Sequence, residues 1–395
     1  MLRMLSQVSG QYPLKFSGCY PWFRDSIRLN KNRMIKLNWK IGVEIELVAP
    51  KGLCRRDLAD AIAQQHGGIV RPFFHPQSEP SKVPGKPLFQ NLTLGFEVVD
   101  SQTGSMIAQC VDDLTLQDDF DKTHPPQPGW YRIVSDETRL LRLVMQQANP
   151  AAPLSEVLTP IAHLFGTEPL GRGEMVRVED DTGASIAIAA PLPGERERPC
   201  ELITPPIDTN HLERLESLLA IARSLGFTVP SEGATQLHFD ATPLQSAPIL
   251  VNLMRLLWIW GPNLRQRFKT NPRCRRLGRW PQEVYEFVQR PDFITLPWEE
   301  ARERLAKFEL TKYCDFNIKN LIHPTPTKHT FEVRIFPVWL HGDAIIEAAG
   351  LFEAILRWAM DFNENTIIKS VPPDIETLIK ELGIGNWESG IGNWK

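Results

Sequence analysis

A short stretch near the N-terminus decides the fold of this chain: it reads KIGVEIELV and runs from Lys40 to Val48. Apolar residues alternate with other types along it, and this period of two predicts a β-strand. Side chains in a strand alternate between its two faces, so Glu44 and Glu46 share one face, opposite the apolar residues. Two carboxylates on one face repel each other unless the face is wet or a cation lies between them. The stretch therefore predicts either a solvated face or a cation site.

The composition of the 395-residue chain narrows the classes of protein to which it can belong. An apolar content of 42% is enough for a large core, in two or three domains or in one elaborate α/β domain. The net charge of −3 gives no electrostatic reason to expect nucleic acid or an anionic membrane as a partner. The six cysteines form no Cys-x-x-Cys pair, which argues against a disulfide framework and a thiolate zinc site and favours the reducing cytoplasm. The most apolar run, Ile249–Trp260, is too short to span a membrane.

Strand and helix patterns alternate along the chain. Residues 1–33 predict a poorly structured N-terminal extension, although their basic, acid-poor composition also fits a targeting segment. Residues 34–370 predict one folded domain with a hairpin insert at about 155–198, and residues 371–395 predict a tail that repeats Gly-Ile-Gly-Asn-Trp. Residues 71–90, rich in Pro, Ser and Lys, predict a long loop. Helical patterns are found in six segments: Arg55–His66, Arg139–Gln147, Asn210–Leu225, Ala247–Phe268, Trp298–Phe308 and Ala344–Phe362. The mixture favours an α+β layer, with helices on one side of a sheet and chemistry on the other.

Three later strand patterns carry polar groups in the same alternating way. In the segment Gln236–Asp240, His238 shares a face with Asp240, and a few strands later Glu332 shares a face with Arg334. Glu201 lies on a further strand that a Pro-Pro pair ends. Each pattern alone is typical of any half-solvated strand, and a single histidine on a strand is often a hydrogen-bonded core residue.

Together, these faces point to metal and phosphate chemistry. They carry several carboxylates, one imidazole and one guanidinium, but no lysine. Oxygen ligands with one imidazole suit Mg²⁺ or Mn²⁺, and an arginine on the same face suits a phosphate. The chain contains no phosphate-binding Gly-rich loop and no Gly-x-Ser-x-Gly motif, so a nucleotide would bind through metals and arginines. The pattern is typical of a phosphoryl-transfer site, with Asp136, at a strand end, as a weaker candidate.

The order of these motifs resembles the amidoligase family, which is related to glutamine synthetase and glutamate–cysteine ligase. The resemblance covers about residues 42 to 336 and is carried by Gly42–Glu46, Trp130–Thr138, Glu201–Pro206, Leu237–Asp240, Tyr313–Leu321 and Thr330–Phe336. The chain departs from the family pattern at Asp240, where the family usually has a second histidine, and in the long 155–198 segment.

The resemblance implies a fold, a reaction and partners. The fold would be α+β, with a curved, mainly antiparallel sheet of glutamine synthetase-like type, helices on one face and the active site on the other. The reaction would be ATP-dependent: a carboxylate is phosphorylated, and an amine attacks the acyl phosphate to form an amide. The substrates would be small-molecule or peptide carboxylates and amines. The implied ligands of two or more Mg²⁺ (or Mn²⁺) ions are Glu44, Glu46, Glu201, His238 and Glu332.

The resemblance also implies further site residues. The catalytic residues would be Glu44, Glu46 and Arg334, with Arg334 steadying the transferred phosphate and also contacting the nucleotide. Asn317 and Arg276 would contact the nucleotide as well. Asp136 and Asp240 are candidates for substrate contact, while Arg273 and Arg275 fit phosphate contacts and a solvated loop equally well.

Two other functions stay open at this point. A metal-dependent phosphoester hydrolase would use the same carboxylates and histidine with water as the nucleophile. A non-catalytic relative would bind a peptide or a nucleotide without turnover. The burial of so many unused charges would be costly, which argues against the second alternative.

Overall fold

The computed structural model describes residues 37–361 apart from 81–87, 136, 275 and 327, together with position 377. Its strands are β1 (Ile41–Val48), β2 (Gly68–Pro80), β3 (Leu88–Asp100), β4 (Met106–Val111), β5 (Tyr131–Val134), β6 (Leu170–Arg172), β7 (Met175–Glu179), β8 (Ser185–Pro191), β9 (Pro199–Ile203), β10 (Thr235–Asp240), β11 (Phe316–Asn317) and β12 (Thr330–Phe336). Its helices are α1 (Arg55–His66), α2 (Thr138–Gln147), α3 (Thr159–Leu164), α4 (His211–Ser224), α5 (Ala247–Arg267), α6 (Gln282–Val288), α7 (Trp298–Leu305), α8 (Lys319–Ile322) and α9 (Gly342–Met360). The predicted extension 1–33 and nearly all of the predicted tail 371–395 lie outside these residues.

The strands form one large, open, antiparallel sheet. Their order is β11-β12-β10-β1-β9-β4-β3-β5-β8-β7-β6, and β2 pairs with β3. All of the strand pairs in the described residues are antiparallel. The predicted mixed fold with an antiparallel sheet is therefore confirmed.

The opening strand β1 lies between β10 and β9, in the interior of the sheet. Its residues Val43, Ile45 and Leu47 are fully buried and belong to one continuous core with residues of α5 and α9. Helix α9 also packs against α4, which contacts α1. These helices thus cover the apolar face of β1, and its glutamates lie on the other face. No helix among the described residues is long and apolar enough to cross a membrane.

The six predicted helices are present as α1, α2, α4, α5, α7 and α9, with differences of at most three residues at their ends. Helix α1 ends at Gly67, which adopts a left-handed backbone conformation with φ of 68°. Glycine tolerates this conformation because it has no Cβ atom, which explains why the helix stops here.

The prediction of a long loop at 71–90 is wrong for residues 71–80 and 88–90, and residues 81–87 lie outside the described part of the chain. Residues 68–80 and 88–100 pair along their whole length as β2 and β3. Pro72 and Pro76 suggested a loop because proline cannot donate a ladder hydrogen bond. Strand β2 tolerates both prolines because, among the described residues, it pairs with β3 alone and its other edge has no partner strand.

The strand predicted within Tyr313–Ile318 is shorter than expected, since only Phe316–Asn317 is paired. The predicted hairpin near 165–198 is present, with β7 paired to β8 and β6 to β7. Strand β8 also pairs with β5, so this segment extends the main sheet. Its interpretation as an insert relative to the family stays a prediction.

The sheet forks where β4 and β5 share one edge of β3. Strand β4 pairs with β3 at 96–99 and β5 pairs with it at 91–93, which leaves a gap at Leu94. The fully buried guanidinium of Arg55 fills the gap: its Nε donates to the carbonyl of Leu94 at 3.0 Å. It also stacks 4.3 Å from the ring of Trp130, at the start of β5, and lies 3.7 Å from the carboxylate of Asp112, just after β4. Arg55 therefore ties together both branches of the fork.

Candidate functional site

The strand register places the predicted polar side chains on one face of the sheet. Across the ladder, Glu46 lies opposite Glu201, and His238 lies opposite Glu332. Residues opposite each other in a ladder point to the same face. This face forms the floor of a cleft of about 910 Å³. The cleft is lined by, among others, Glu44, Glu201, His238, Asp240, Arg276, Lys328 and Arg334.

Three of the predicted metal ligands lie close together. Glu44, His238 and Glu332 each offer one ligand atom, and these atoms are all within 4.8 Å of one another. The Nε2 atom of His238 lies 3.0 Å from Oε1 of Glu44, and Nδ1 lies 4.0 Å from Oε2 of Glu332. We call these three residues the ligand triad.

The ligand triad fits a divalent cation. The Nε2 atom of His238 is buried and lies 3.0 Å from Oε1 of Glu44, so an imidazole nitrogen and a carboxylate oxygen face each other at this point of the cleft. Two carboxylates and one imidazole are a suitable donor set for Mg²⁺ or Mn²⁺. His238 would then bind through Nε2, while its Nδ1 contacts the hydroxyl of Thr330 at 3.2 Å.

Glu44 is held in its ionised form by two neighbouring groups. Burial acts to raise the pKa of the Glu44 carboxyl, but the charges of His238 and Lys328 outweigh it, and the pKa lies well below its ordinary value. The ammonium of Lys328 lies 3.1 Å from Oε1 of Glu44. The carboxylate is thus available as a ligand at neutral pH.

Glu332 is held by fixed hydrogen bonds. Asn317 donates to its Oε2 at 2.7 Å, and Arg334 donates to its Oε1. Arg334 also donates to the side chain of Gln236 at 2.6 Å. Burial acts to raise the pKa of Glu332, but the charges of His238 and Arg334 lower it below its ordinary value. These contacts fix the orientation of a triad ligand that is only 3% exposed.

The other two predicted ligands, Glu46 and Glu201, belong with Asp113 to a second acidic group, which we call the acidic corner: Glu201 and Asp113 line the cleft, and Glu46 is buried beside Gln236. Glu46 accepts hydrogen bonds from the backbone of Ala234 at 2.9 Å and from Gln236 at 3.1 Å. Arg276 lies 3.6 Å from Glu46 and donates to Asp113 at 2.9 Å. Among the described residues, no group forms a hydrogen bond with the side chain of Glu201. The structure therefore divides the predicted set of five ligands into two groups.

The acidic corner contains carboxyl groups with opposite pKa shifts. Burial raises the pKa of Glu46 to about 8, and the negative charge of Asp113 adds to this effect. Burial also raises the pKa of Glu201 well above its ordinary value, and the charge of Glu44 contributes. At Asp113 burial acts in the same direction, but Arg276 and Thr115 outweigh it and lower the pKa to about 2. Burial thus disfavours the ionised forms of Glu46 and Glu201, whereas Arg276 and Thr115 favour the ionised form of Asp113.

The remaining predicted residues have different settings. The carboxylate of Asp240 accepts hydrogen bonds from the backbone and hydroxyl of Thr242 at 3.0 and 2.7 Å, so it caps a short turn at the rim of the cleft. Arg276 reaches the cleft from its loop, whereas Arg273 is exposed. Asp136 and Arg275 lie outside the described residues. A substrate role for Asp240 stays a prediction.

Several cleft residues were not predicted from the sequence. Lys328 lies in a turn closed by backbone hydrogen bonds with Thr325, and no periodic pattern marks it. Asp113 follows β4, and a carboxylate just after a strand was the signal that could have found it. His75 and Gln77 lie on β2, in the segment mistaken for a loop.

A comparison with known families identifies the family of this chain. A model of the family described as "Putative amidoligase enzyme" matches residues 37–356, which is most of the chain. No significant match was found among curated proteins or among solved structures. The matched region contains every strand of the sheet and both groups of carboxylates. The chain therefore belongs to the amidoligase family.

Proposed function

We propose that this protein is an ATP-dependent carboxylate–amine ligase that forms an amide through an acyl phosphate. The observation that carries the proposal is the ligand triad of Glu44, His238 and Glu332 beside the cations Arg276 and Arg334 in one cleft. We propose with it that the sheet is of the curved, glutamine synthetase-like type and that the protein acts in the cytoplasm. Family membership supports the ligase activity.

The proposed reaction has two steps. A carboxylate oxygen of the first substrate attacks the γ-phosphorus of ATP, the bond to the bridging oxygen breaks, and ADP leaves. The nitrogen of the amine then attacks the acyl carbon, the C–O bond to phosphate breaks, and inorganic phosphate leaves. The amine loses a proton, and the product is an amide. Activation is needed because a carboxylate is a poor electrophile.

The ligand triad would hold one divalent ion, Mg²⁺ or Mn²⁺. A bound ion would neutralise the triphosphate and the charge that develops during phosphoryl transfer. Asn317 acts through Glu332, which it orients by a hydrogen bond. Glu201 is the ligand that we propose for a second ion, together with Glu46.

Two arginines are the residues that we propose as contacts of the phosphate oxygens. Arg334 lines the cleft and its Nε has no hydrogen-bond partner in the described residues. Arg276 is 22% exposed and faces the same cleft. A guanidinium binds phosphate through several parallel hydrogen bonds, which favours both as nucleotide contacts. A cleft of about 910 Å³ is at the upper end of small-molecule pockets and has room for a nucleotide and a small substrate.

The mechanism is tested by following oxygen atoms. A panel of carboxylates and amines is first screened for ADP release that requires both substrates. The active carboxylate is then labelled with ¹⁸O. An acyl-phosphate route transfers one labelled oxygen to inorganic phosphate, whereas direct hydrolysis of ATP leaves the phosphate unlabelled by the carboxylate. The Glu332→Gln variant lacks one carboxylate of the ligand triad and serves as the negative control.

The two alternative functions give different results in the same assays. A phosphoester hydrolase would cleave phosphoesters with a divalent metal and without ATP. A non-catalytic relative would bind Mg-ATP, seen as a raised melting temperature, without turnover of any pair. No thermal shift at saturating Mg-ATP would argue against a nucleotide site altogether.

A further inference from the structure

One oxygen atom of Glu44 has two nitrogen neighbours. Oε1 lies 3.0 Å from Nε2 of His238 and 3.1 Å from Nζ of Lys328. Glu44 is also one of the three residues whose ligand atoms lie within 4.8 Å of one another and would surround a divalent ion. The ammonium of Lys328 therefore lies at the place where a bound cation has to approach.

Lys328 cannot remain there when a divalent ion binds. An ammonium group donates hydrogen bonds but has no free lone pair, so it cannot become a ligand, and its charge repels the ion. The two triad carboxylates are deeply set, with 14% side-chain exposure for Glu44 and 3% for Glu332, whereas Lys328 is 44% exposed. The lysine is thus the partner that can move.

The backbone near Lys328 is tied while its side chain is free to turn. Backbone hydrogen bonds join Lys328 and Thr325 in both directions, at 3.0 and 3.2 Å. Two residues further on, β12 begins at Thr330. The four-carbon stem of lysine can therefore swing without moving the strand that carries Glu332.

Among the described residues, the carboxylates on β10 and β12 already have partners. Glu332 accepts hydrogen bonds from Asn317 and Arg334, and Asp240 accepts hydrogen bonds from Thr242. Glu201 lies on β9, across β1 from the strands β10 and β12 that adjoin Lys328. The anion that arrives together with the metal is the phosphate chain of the nucleotide.

We propose that Lys328 exchanges partners: it neutralises Glu44 in the metal-free protein, and on metal binding it moves to a phosphate oxygen of the nucleotide. The first half concerns the metal site alone, and the second half rests on the proposed function. Lys328 thereby keeps the acidic cleft neutralised before the metal arrives and becomes a nucleotide contact afterwards.

The test uses Lys328→Met in the full-length chain, with Lys312→Met as the matched control. Lys312 is a second lysine that lines the same cleft, and no ion pair joins it to Glu44 in the described residues. Mn²⁺ binding to the metal-free protein is followed by electron paramagnetic resonance, and binding of the Mn²⁺ complex of tripolyphosphate is followed by calorimetry. Neither measurement requires turnover.

The two halves predict effects of opposite sign. Lys328→Met should bind free Mn²⁺ about two- to five-fold more tightly, because a competing cation is gone. The same variant should bind Mn-tripolyphosphate about 10- to 100-fold more weakly, because a charge-assisted hydrogen bond is lost. Lys312→Met should leave the affinity for free Mn²⁺ unchanged.

Other results would overturn the exchange. Unchanged or weaker Mn²⁺ binding by Lys328→Met would show that the lysine does not compete with the metal, while leaving the ligase proposal intact. Unchanged tripolyphosphate binding would remove the phosphate contact. Failure of the wild-type protein to bind Mn²⁺ at all would overturn both the exchange and the metal site of the proposed function.

Discussion

The imidazole of His238 and the carboxylate of Glu44 meet across two neighbouring strands, with Nε2 3.0 Å from Oε1. The pairing of β1 with β10 sets this contact: His238 lies opposite Gly42, and Glu44 lies opposite Gln236. The two groups are therefore diagonal neighbours on one face, where long side chains still reach each other. Both come from rigid strands in the interior of the sheet, which is the support that a metal site requires.

Replacement of Glu44 by Gln should abolish tight Mn²⁺ binding by the ligand triad. The amide removes an ionised oxygen ligand while it keeps the size of the side chain. Removal of outer-shell partners already weakens metal sites 10- to 100-fold, so we expect a loss of at least about 100-fold. Electron paramagnetic resonance of Mn²⁺ titrations measures the affinity.

The matched control for this change is Glu97→Gln. Glu97 lines the same cleft but lies outside the triad, and its Oε1 accepts a hydrogen bond from Gln109 at 3.0 Å. It should bind Mn²⁺ as the wild type does. Equal weakening by both substitutions would mean that the cleft attracts Mn²⁺ by its overall charge rather than through the triad.

Glu201→Gln should reduce the number of bound ions from two to one. The carboxyl group of Glu201 lines the cleft and has no hydrogen bond among the described residues. Glu201 lies opposite Glu46 on the neighbouring strand. Its removal takes away the ligand that we assign to the second ion and leaves the triad in place. The stoichiometry of Mn²⁺ in the presence of a non-hydrolysable ATP analogue measures the effect. Two ions bound to the variant would assign Glu201 another role.

The strands of the site could be predicted from the sequence because alternation of residue type translates directly into faces. Val43, Ile45 and Leu47 turned inwards and the two glutamates turned towards the cleft, as the period of two requires. The division of the five predicted ligands could not be predicted in this way. Glu44 and Glu46 are roughly 7 Å apart along a strand, so each meets different neighbours on the adjacent strands.

Two roles were missed because they depend on contacts between residues that are distant in sequence: Lys328 in the cleft and Arg55 at the fork. Lys328 lies 284 positions from Glu44, and only the turn before β12 brings them together. Arg55 lies on a helix whose pattern predicts amphipathic packing, but its role at the fork follows from the ends of β4 and β5. Such contacts depend on how distant segments of the chain lie against each other in the fold, which the residue pattern of a single strand does not show.

The stability of the protein should fall as the pH drops from about 6.5 to about 4, partly because of His75. Burial lowers the pKa of this histidine to about 4, so the folded protein holds it neutral in a range where the unfolded chain binds a proton. The unfolded state therefore gains protons first, and acidification favours it. The contribution is up to about 3 kcal/mol in the free energy of unfolding.

His75→Gln removes this term while it keeps a polar side chain of similar size. Urea unfolding at pH 7 and at pH 4.5 should show a smaller loss of stability for the variant than for the wild type. His163→Gln is the control, since His163 is exposed. The pH dependence of the control should match the wild type, and an equal pH dependence for His75→Gln would contradict the assignment.

Arg55→Met should be among the most destabilising substitutions in the chain. Its guanidinium donates to three buried carbonyls, those of Leu94 at 3.0 Å, Arg196 at 2.6 Å and Pro199 at 3.3 Å. Methionine fills similar space but leaves these acceptors unpaired and removes one of the cations beside Asp112. Loss of one partner in a buried charged network costs about 3–5 kcal/mol. Urea unfolding measures the change in the free energy of unfolding.

The neighbouring Arg56 provides the control on the same helix. Its side chain is 65% exposed and pairs with Asp60 at 3.7 Å. A surface pair of this kind contributes about 0–1 kcal/mol, so Arg56→Met should change stability little. Similar losses for the two variants would mean that helix propensity, which both substitutions alter in the same way, governs the effect. A large loss for Arg55→Met alone would show that the fork between β4 and β5 is important for stability. The fork also supports the cleft, because Asp113, which pairs with Arg276, follows the end of β4.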